Sequence, residues 1–280
     1  MPPRRISIKP HLPLETITEI INFVPENHRK TLRALCLTSK TTYLVASKLL
    51  HHSFTNKFDT PEKHLKRLRF LVTKAKTTRL PSLIQYYECD VAHLEDCFDD
   101  STNEEVEELW TYIPRALALM VNLKRLRYVE WAQMPRAPRG LSRVPFQLEE
   151  LHWEIRANEG VGFAKFLEAQ HHLKSLYLST GLDVQITRTA CRELVYVEGS
   201  PSLFHKILPG RPSIKQIKWI KNDRGADDDV PSLKGEFNRI THLSLSPGAL
   251  SSSRIEELFP SLLYLELHAY EFNSVSATSL

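Results

Sequence analysis

The chain has 280 residues, of which 42% are hydrophobic and 25% charged, with nine glycines; this gives ample core material and excludes a fibrous or disordered chain. Its formal net charge of +4 is mild, and the basic residues are interleaved with acidic ones, which argues against nucleic acid as a partner. No run approaches the ~18 apolar residues of a membrane span and no apolar stretch follows Arg4 and Arg5, so an intracellular protein of cytoplasm or nucleus is expected, with reduced thiols at Cys36, Cys89, Cys97 and Cys191.

Near the N-terminus, Leu14, Ile17, Ile21 and Val24 recur at the spacing of one helical face. Pro13 suits a first helical turn, and Pro25 stops the helix by disfavouring helical geometry before it. A second amphipathic stretch covers residues 31–37, and a third runs through Tyr43, Leu44, Ala46, Leu49 and Leu50. Leu12-Pro13-Leu14-Glu15, then Ile17, Ile20 and Ile21, then Leu32 and Leu35, then Ser39-Lys40 together resemble the F-box, over roughly residues 10–55. One departure is Thr42 followed by Tyr43, where that family often has an aromatic residue three positions after the Ser. The resemblance implies docking on the small adaptor subunit of an SCF-type (cullin-RING) ubiquitin ligase, and through it on cullin. The adaptor-binding residues it implies are Leu12, Pro13, Leu14, Glu15, Ile17, Ile20, Ile21, Leu32, Leu35, Ser39 and Lys40. Read from periodicity alone, the same segment is also compatible with a helical cap on the array that follows.

Residues 56–119 read as linking helices with a possible first irregular repeat. Thr60-Pro61 is an N-cap followed by a first-turn proline, with Leu65, Leu68 and Val72 at helical spacing. Ser101 to Glu105 contains two overlapping capping boxes, and Val106, Leu109, Trp110, Ile113, Leu117 and Met120 continue as an apolar face in which Pro114 predicts a kink or a split. The basic run from Lys63 to Arg79 is the best candidate for a phosphate-binding stripe. An acidic stretch from Glu88 to Glu108 follows it, so neutralisation between neighbouring helices is the more economical account.

From Leu123 onward a template of Leu-x-x-Leu-x-Leu type recurs seven times. Its central residues are Leu126, Leu151, Leu176, Leu194, Ile217, Leu243 and Leu265, with spacings of 25, 25, 18, 23, 26 and 22; leucine-rich repeats recur at about 20–29. Alternation sends positions four and six inward and positions three, five and seven outward. Helical segments fit at residues 162–170, 200–208 and 253–259, so strand alternates with helix and a parallel sheet follows. The resemblance to leucine-rich repeats covers roughly residues 120–270, with an earlier start near Leu83 to Cys89 also compatible, leaving 271–280 as a tail. It departs at the usual Asn site, matched only by Asn222, while the other six repeats carry Trp131, Arg156, Gly181, Gly199, Gly248 and Tyr270. The expected fold is therefore α/β: a three-helix F-box-like module followed by an irregular leucine-rich-repeat solenoid.

No Gly-x-Gly-x-x-Gly, Walker-type loop or Gly-x-Ser-x-Gly occurs, so neither an enzyme nor a cofactor is expected. Cys89, His93 and Cys97 match no standard metal spacing, Asp227-Asp228-Asp229 reads as a solvated loop, and the adjacent pairs His51-His52 and His171-His172 diverge on any regular element. Position five of the templates gives Arg127, His152, Tyr177, Val195, Lys218, Ser244 and Glu266, flanked by Arg125, Glu150, Glu154, Gln216 and His268. From these, Arg127, His152, Glu154, Tyr177, Lys218 and Glu266 form the candidate substrate-binding set; their mixed charge suits a protein better than a polyanion. The expected function is a non-catalytic substrate-recognition subunit with an unknown target protein. The alternative is a leucine-rich-repeat scaffold or regulator acting outside a ligase.

Overall fold

A computed structural model describes residues 12–25, 27–56, 59–75, 77–90, 103–130, 141, 144–155, 160–178, 186–220, 232–246 and 252–268. The chain divides between Phe54 and Thr55 into two compact units. The first contains helices α1 (Leu14–Asn22), α2 (Arg29–Cys36) and α3 (Lys40–Leu50). Pro13 stands at the N-cap of α1, one residue earlier than a first-turn position, because its backbone is extended there. Ile21, Leu32, Ala46 and Leu50 form the buried core, with Ile17, Val24, Leu35 and Val45 packed against it. Ser39 caps α3: its side chain accepts from the Thr42 backbone N–H, and the Thr42 hydroxyl oxygen accepts from the Ser39 N–H. This reciprocal arrangement satisfies two donors that the helix cannot, with Thr in the place usually held by Glu or Gln.

A nine-stranded sheet has its strands in chain order: β1 (Ser53–Thr55), which includes the boundary, and then, in the second unit, β2 (Tyr86–Asp90), β3 (Arg125–Glu130), β4 (Glu150–Ile155), β5 (Ser175–Leu178), β6 (Tyr196–Gly199), β7 (Gln216–Trp219), β8 (His242–Leu245) and β9 (Tyr264–Leu267). The pairings from β2 to β9 are parallel. Between the strands lie α4 (Pro61–Lys74), α5 (Leu80–Leu83), α6 (Asn103–Leu117), α7 (Gly160–Glu168), α8 (Pro201–Ile207), α9 (Lys234–Phe237) and α10 (Ser252–Leu258). No helix of the described residues is long and apolar enough to cross a membrane.

The strands β3 to β9 are entered through the same device: one carbonyl of the preceding coil accepts two successive N–H groups. Glu149 O takes Lys174 and Ser175, Lys174 O takes Val195 and Tyr196, and Val195 O takes Lys215 and Gln216. Lys174 and Val195 therefore occupy equivalent positions. This corrects the fourth repeat, which is displaced by three residues from the expected alignment. Leu176 pairs with Val197, and Val197 with Ile217, so the successive spacings are 21 and 20 residues. The anomalous spacing of 18 disappears. Leu194 is buried at the first template position instead of the fourth, Tyr196 turns outward instead of inward, and Val195 leaves the predicted stripe.

The sequence signal failed there because the last inward position is Gly199. A Cβ at Gly199 would lie 2.3 Å from Cδ2 of Leu203 and 3.2 Å from the Leu178 carbonyl oxygen, so a leucine from α8 occupies the place of a strand side chain. The earlier irregular repeat considered near Leu83 to Cys89 corresponds to a strand of the sheet: Tyr87 and Cys89 pair with Leu126 and Tyr128, and together with Ile84 they are fully buried. Residues 56–119 thus contribute to the sheet as well as linking helices. Pro114 does not split α6, which continues through it although the proline has no N–H to donate.

Large aromatic side chains fill the helix-covered side. Trp153 stacks on Tyr128 at 4.7 Å and on Phe163 of α7 at 5.0 Å, while Trp219 meets Phe204 of α8 at 5.5 Å and Phe237 of α9 at 5.8 Å. Polar groups between coils are satisfied by longer side chains than the expected Asn. Gln170 accepts from the Leu148 N–H at 2.8 Å, Gln147 spans Ala169 O and His171 N, and buried Arg211 donates to the carbonyls of Thr187, Ala190 and Ile207. Asn222 and five of the six sites lacking Asn lie outside the described residues. In β9, Leu265 and Leu267 were expected to face inward but are 43% and 68% exposed, because this strand ends the described sheet.

Candidate docking surfaces

The first unit buries little and exposes much. Leu12, Leu14, Ile20, Phe23, Leu37, Tyr43 and Leu44 are seven of the fourteen large hydrophobic side chains exposed among the described residues, although they span only 33 positions. Phe23 and Leu37 are 87% and 88% exposed at the C-caps of α1 and α2. Concentrated exposed apolar side chains of this kind are a feature of interaction surfaces.

The expected adaptor-binding residues divide into two groups. Leu12, Pro13, Leu14, Glu15, Ile20 and Lys40 are exposed and available. Ile21 and Leu32, by contrast, are buried at 1% and 0% and hold the helices together, while Ile17 and Leu35 are half-buried and pack against the same core. Ser39 is accounted for by its cap. Leu37, Tyr43 and Leu44 belong to the second and third amphipathic stretches of the sequence but are exposed, and Phe23 was not singled out; its signal was apolarity out of phase with the buried face of α1.

In the second unit, alternation sends the outward residues of the strands, most of them only half-buried, to one side of the sheet. Arg127, His152, Tyr177, Lys218 and Glu266 lie in one transverse rank on that outward face, with Glu88, Glu198 and Ser244 completing it. Glu154 belongs to the next rank, two residues beyond His152. The structure thus brings the expected set onto one face, and adds Tyr86, Glu88, Tyr196 and Glu198. The last two were missed through the displaced fourth repeat, and the first two because the earliest repeat carries Tyr and Cys where Leu was sought.

Much of the charge on this face is internally paired. Arg127 meets Glu88, Lys218 lies 2.7 Å from Glu198, and His152 Nε2 is 2.6 Å from Glu154 Oε1. The Tyr86 and Tyr196 hydroxyls donate to Glu88 and Glu198 at 3.0 and 2.9 Å, and Tyr177 donates to Glu154. Burial and the adjacent carboxylate push the Tyr86 phenol up to about 12, and the same causes raise Tyr177 and Tyr196. Burial alone would raise the Glu154 carboxyl, but hydrogen bonds from His152 and Tyr177 more than reverse this and hold it low. The His152 and Tyr177 rings stack at 3.7 Å. These contacts pre-order the side chains, which lowers the entropy lost when a partner binds.

The basic stripe considered in the sequence is neutralised in part. Lys63 and Arg67 pair with Asp59, and Arg69 of α4 with Glu108 of α6. Among the described residues no group of three or more His, Cys, Asp or Glu is placed to hold a metal ion; His93, Cys97 and Asp227 to Asp229 lie outside those residues. Cys191 is buried, its thiol pushed up to about 11 by burial and donating to the Leu167 carbonyl. The sequence matches no family model and no curated protein. The two surfaces therefore rest on their own geometry.

Proposed function

We propose that this chain is a non-catalytic substrate-recognition subunit of an SCF-type ubiquitin ligase. Its first three helices dock on the adaptor, and its repeats, of leucine-rich type, hold a target protein. The observation that carries the proposal is the exposed apolar surface around Leu14, Ile20, Phe23 and Tyr43, on helices that follow a Leu-Pro-x-Glu start. Such a receptor acts by proximity: holding target and ubiquitin-carrying enzyme together makes transfer effectively intramolecular and needs no catalytic side chain.

The test is affinity purification of the full chain from cells, with adaptor and cullin quantified. Wild type retains both. The double variant Leu14→Asp, Ile20→Asp loses both with an unchanged far-UV spectrum, because burying a charge in an apolar interface costs several kcal/mol. Equal retention by the two proteins, or none by wild type, overturns the proposal.

A further inference from the structure

The outward face of the sheet has a hollow of about 270 Å³ spanning β2 to β6. Register explains it. In one transverse rank the small Ser175 stands between Glu150 and Tyr196, so the surface drops at Ser175, and Tyr177, His152 and Glu198 of the next rank form the far wall.

Its electrostatics run opposite to those of the chain. The protein carries a formal +4. The outward positions of β2 to β9 carry six carboxylates (Glu88, Asp90, Glu150, Glu154, Glu198, Glu266) against three cations (Arg125, Arg127, Lys218). Each cation already has company: Arg127 has Glu88, Lys218 has Glu198, and the Arg125 guanidinium lies 5.3 Å from the centre of the Tyr86 ring. Glu150 is exposed at the rim and pairs with no cation of the described residues. The hydroxyls of Tyr177 and Tyr196 donate to carboxylates, which enriches their rings in electron density and favours a cation against the ring faces.

We infer that the outward face binds an extended basic segment of a partner protein, one Lys or Arg of which enters the hollow above Ser175 between Glu150 and the rings of Tyr177 and Tyr196. A phosphorylated peptide or a nucleic acid fits poorly, since the cations that would receive phosphate are already engaged and the surplus charge is negative. The inference deepens the receptor proposal by naming the chemistry of its target, but its test needs no ligase component.

The experiment uses the full chain and three labelled probes in fluorescence anisotropy: a twelve-residue peptide alternating Lys and Ser, the same peptide with Glu for Lys, and a single-stranded oligonucleotide. The Lys peptide binds, and weakens as salt rises from about 0.05 to about 0.3 M, as expected for partly exposed charges. Glu150→Gln and Ser175→Tyr each reduce its affinity about tenfold, equivalent to losing one charge-assisted contact. Glu150 is exposed, so its variant keeps the fold even if filling the hollow with Tyr disturbs β5. Preference for the Glu peptide or the oligonucleotide, equal binding of all three, or no effect of Glu150→Gln overturns the inference. The Leu14→Asp, Ile20→Asp variant retains peptide binding, so failure of adaptor docking and failure of target recognition are read separately.

Discussion

His64 has no exposed surface, and burial, reinforced by the nearby Arg67 guanidinium, pushes its imidazole from 6.5 down to about 4, with Asp59 opposing only in part. The folded state therefore holds the neutral ring over a range in which the unfolded chain takes up a proton. Because the unfolded state binds more protons between pH 6.5 and about 4, stability is fully present above 6.5 and falls as pH drops through that window. The shift corresponds to roughly 3 kcal/mol. Asp59 acts lower: burial would raise its carboxyl, but Lys63 and Arg67 hold it below 3.8, so its contribution is lost only in stronger acid. Urea unfolding of wild type between pH 7 and 4.5 should show the loss, and His64→Phe, which keeps a ring beside Tyr87, should flatten the slope. An unchanged slope would place the acid-sensitive group elsewhere. Nothing in the sequence marked His64, since a histidine at helical spacing looks the same whether it faces solvent or core.

At the scale of elements, the stacking of coils depends on where backbone groups between them find partners. Arg211 is 2% exposed and its donors reach Ala190 O at 3.0 Å and Thr187 O at 2.6 Å, both more than twenty positions earlier, as well as Ile207 O in its own coil. One side chain thus joins successive coils through three carbonyls. Arg211→Met fills a similar volume but leaves those acceptors without their donor, and a stability loss of about 3 kcal/mol is expected, since buried unsatisfied groups cost about 1–3 kcal/mol each and some will recruit water. Denaturant titration measures the loss. Hydrogen exchange should quicken in β6 and β7 before β3 and β4; uniform acceleration would show that the guanidinium supports the sheet only globally. The strands were legible because alternation imposes a period of two, and six of the seven expected alignments hold. The fourth slipped because Val197 and Gly199 replace the leucines, and Leu203 supplies from a helix the bulk that a strand residue ordinarily provides. Long-range substitution of that kind leaves no local pattern to read.

For the whole molecule, the apolar pattern located the three N-terminal helices and most of the sheet, yet it could not separate the residues that hold the first unit together from those that await a partner. Both groups are leucine and isoleucine, and only packing distinguishes Ile21, which is 1% exposed, from Ile20, which is 54% exposed. That distinction yields a prediction with opposite signatures at neighbouring positions. A unit of 54 residues has a small core and correspondingly little stability to lose. Leu32 is fully buried in it, so Leu32→Ala removes about 2–5 kcal/mol through lost contacts and a cavity. This should lower helix content and unfold α1 to α3, and the loss of adaptor retention would follow from the loss of structure. The outward substitutions Leu14→Asp and Ile20→Asp should abolish retention with helix content intact. In both variants the amides of β3 to β7 should exchange as slowly as in wild type, because those strands draw their core from Leu126, Leu151, Leu176, Val197 and Ile217 in the second unit. Helix content, retention and strand exchange, measured together on the three proteins, decide the assignment: if Leu32→Ala leaves helix content unchanged while retention disappears, Leu32 meets the partner directly and the division between core and docking residues drawn above is wrong.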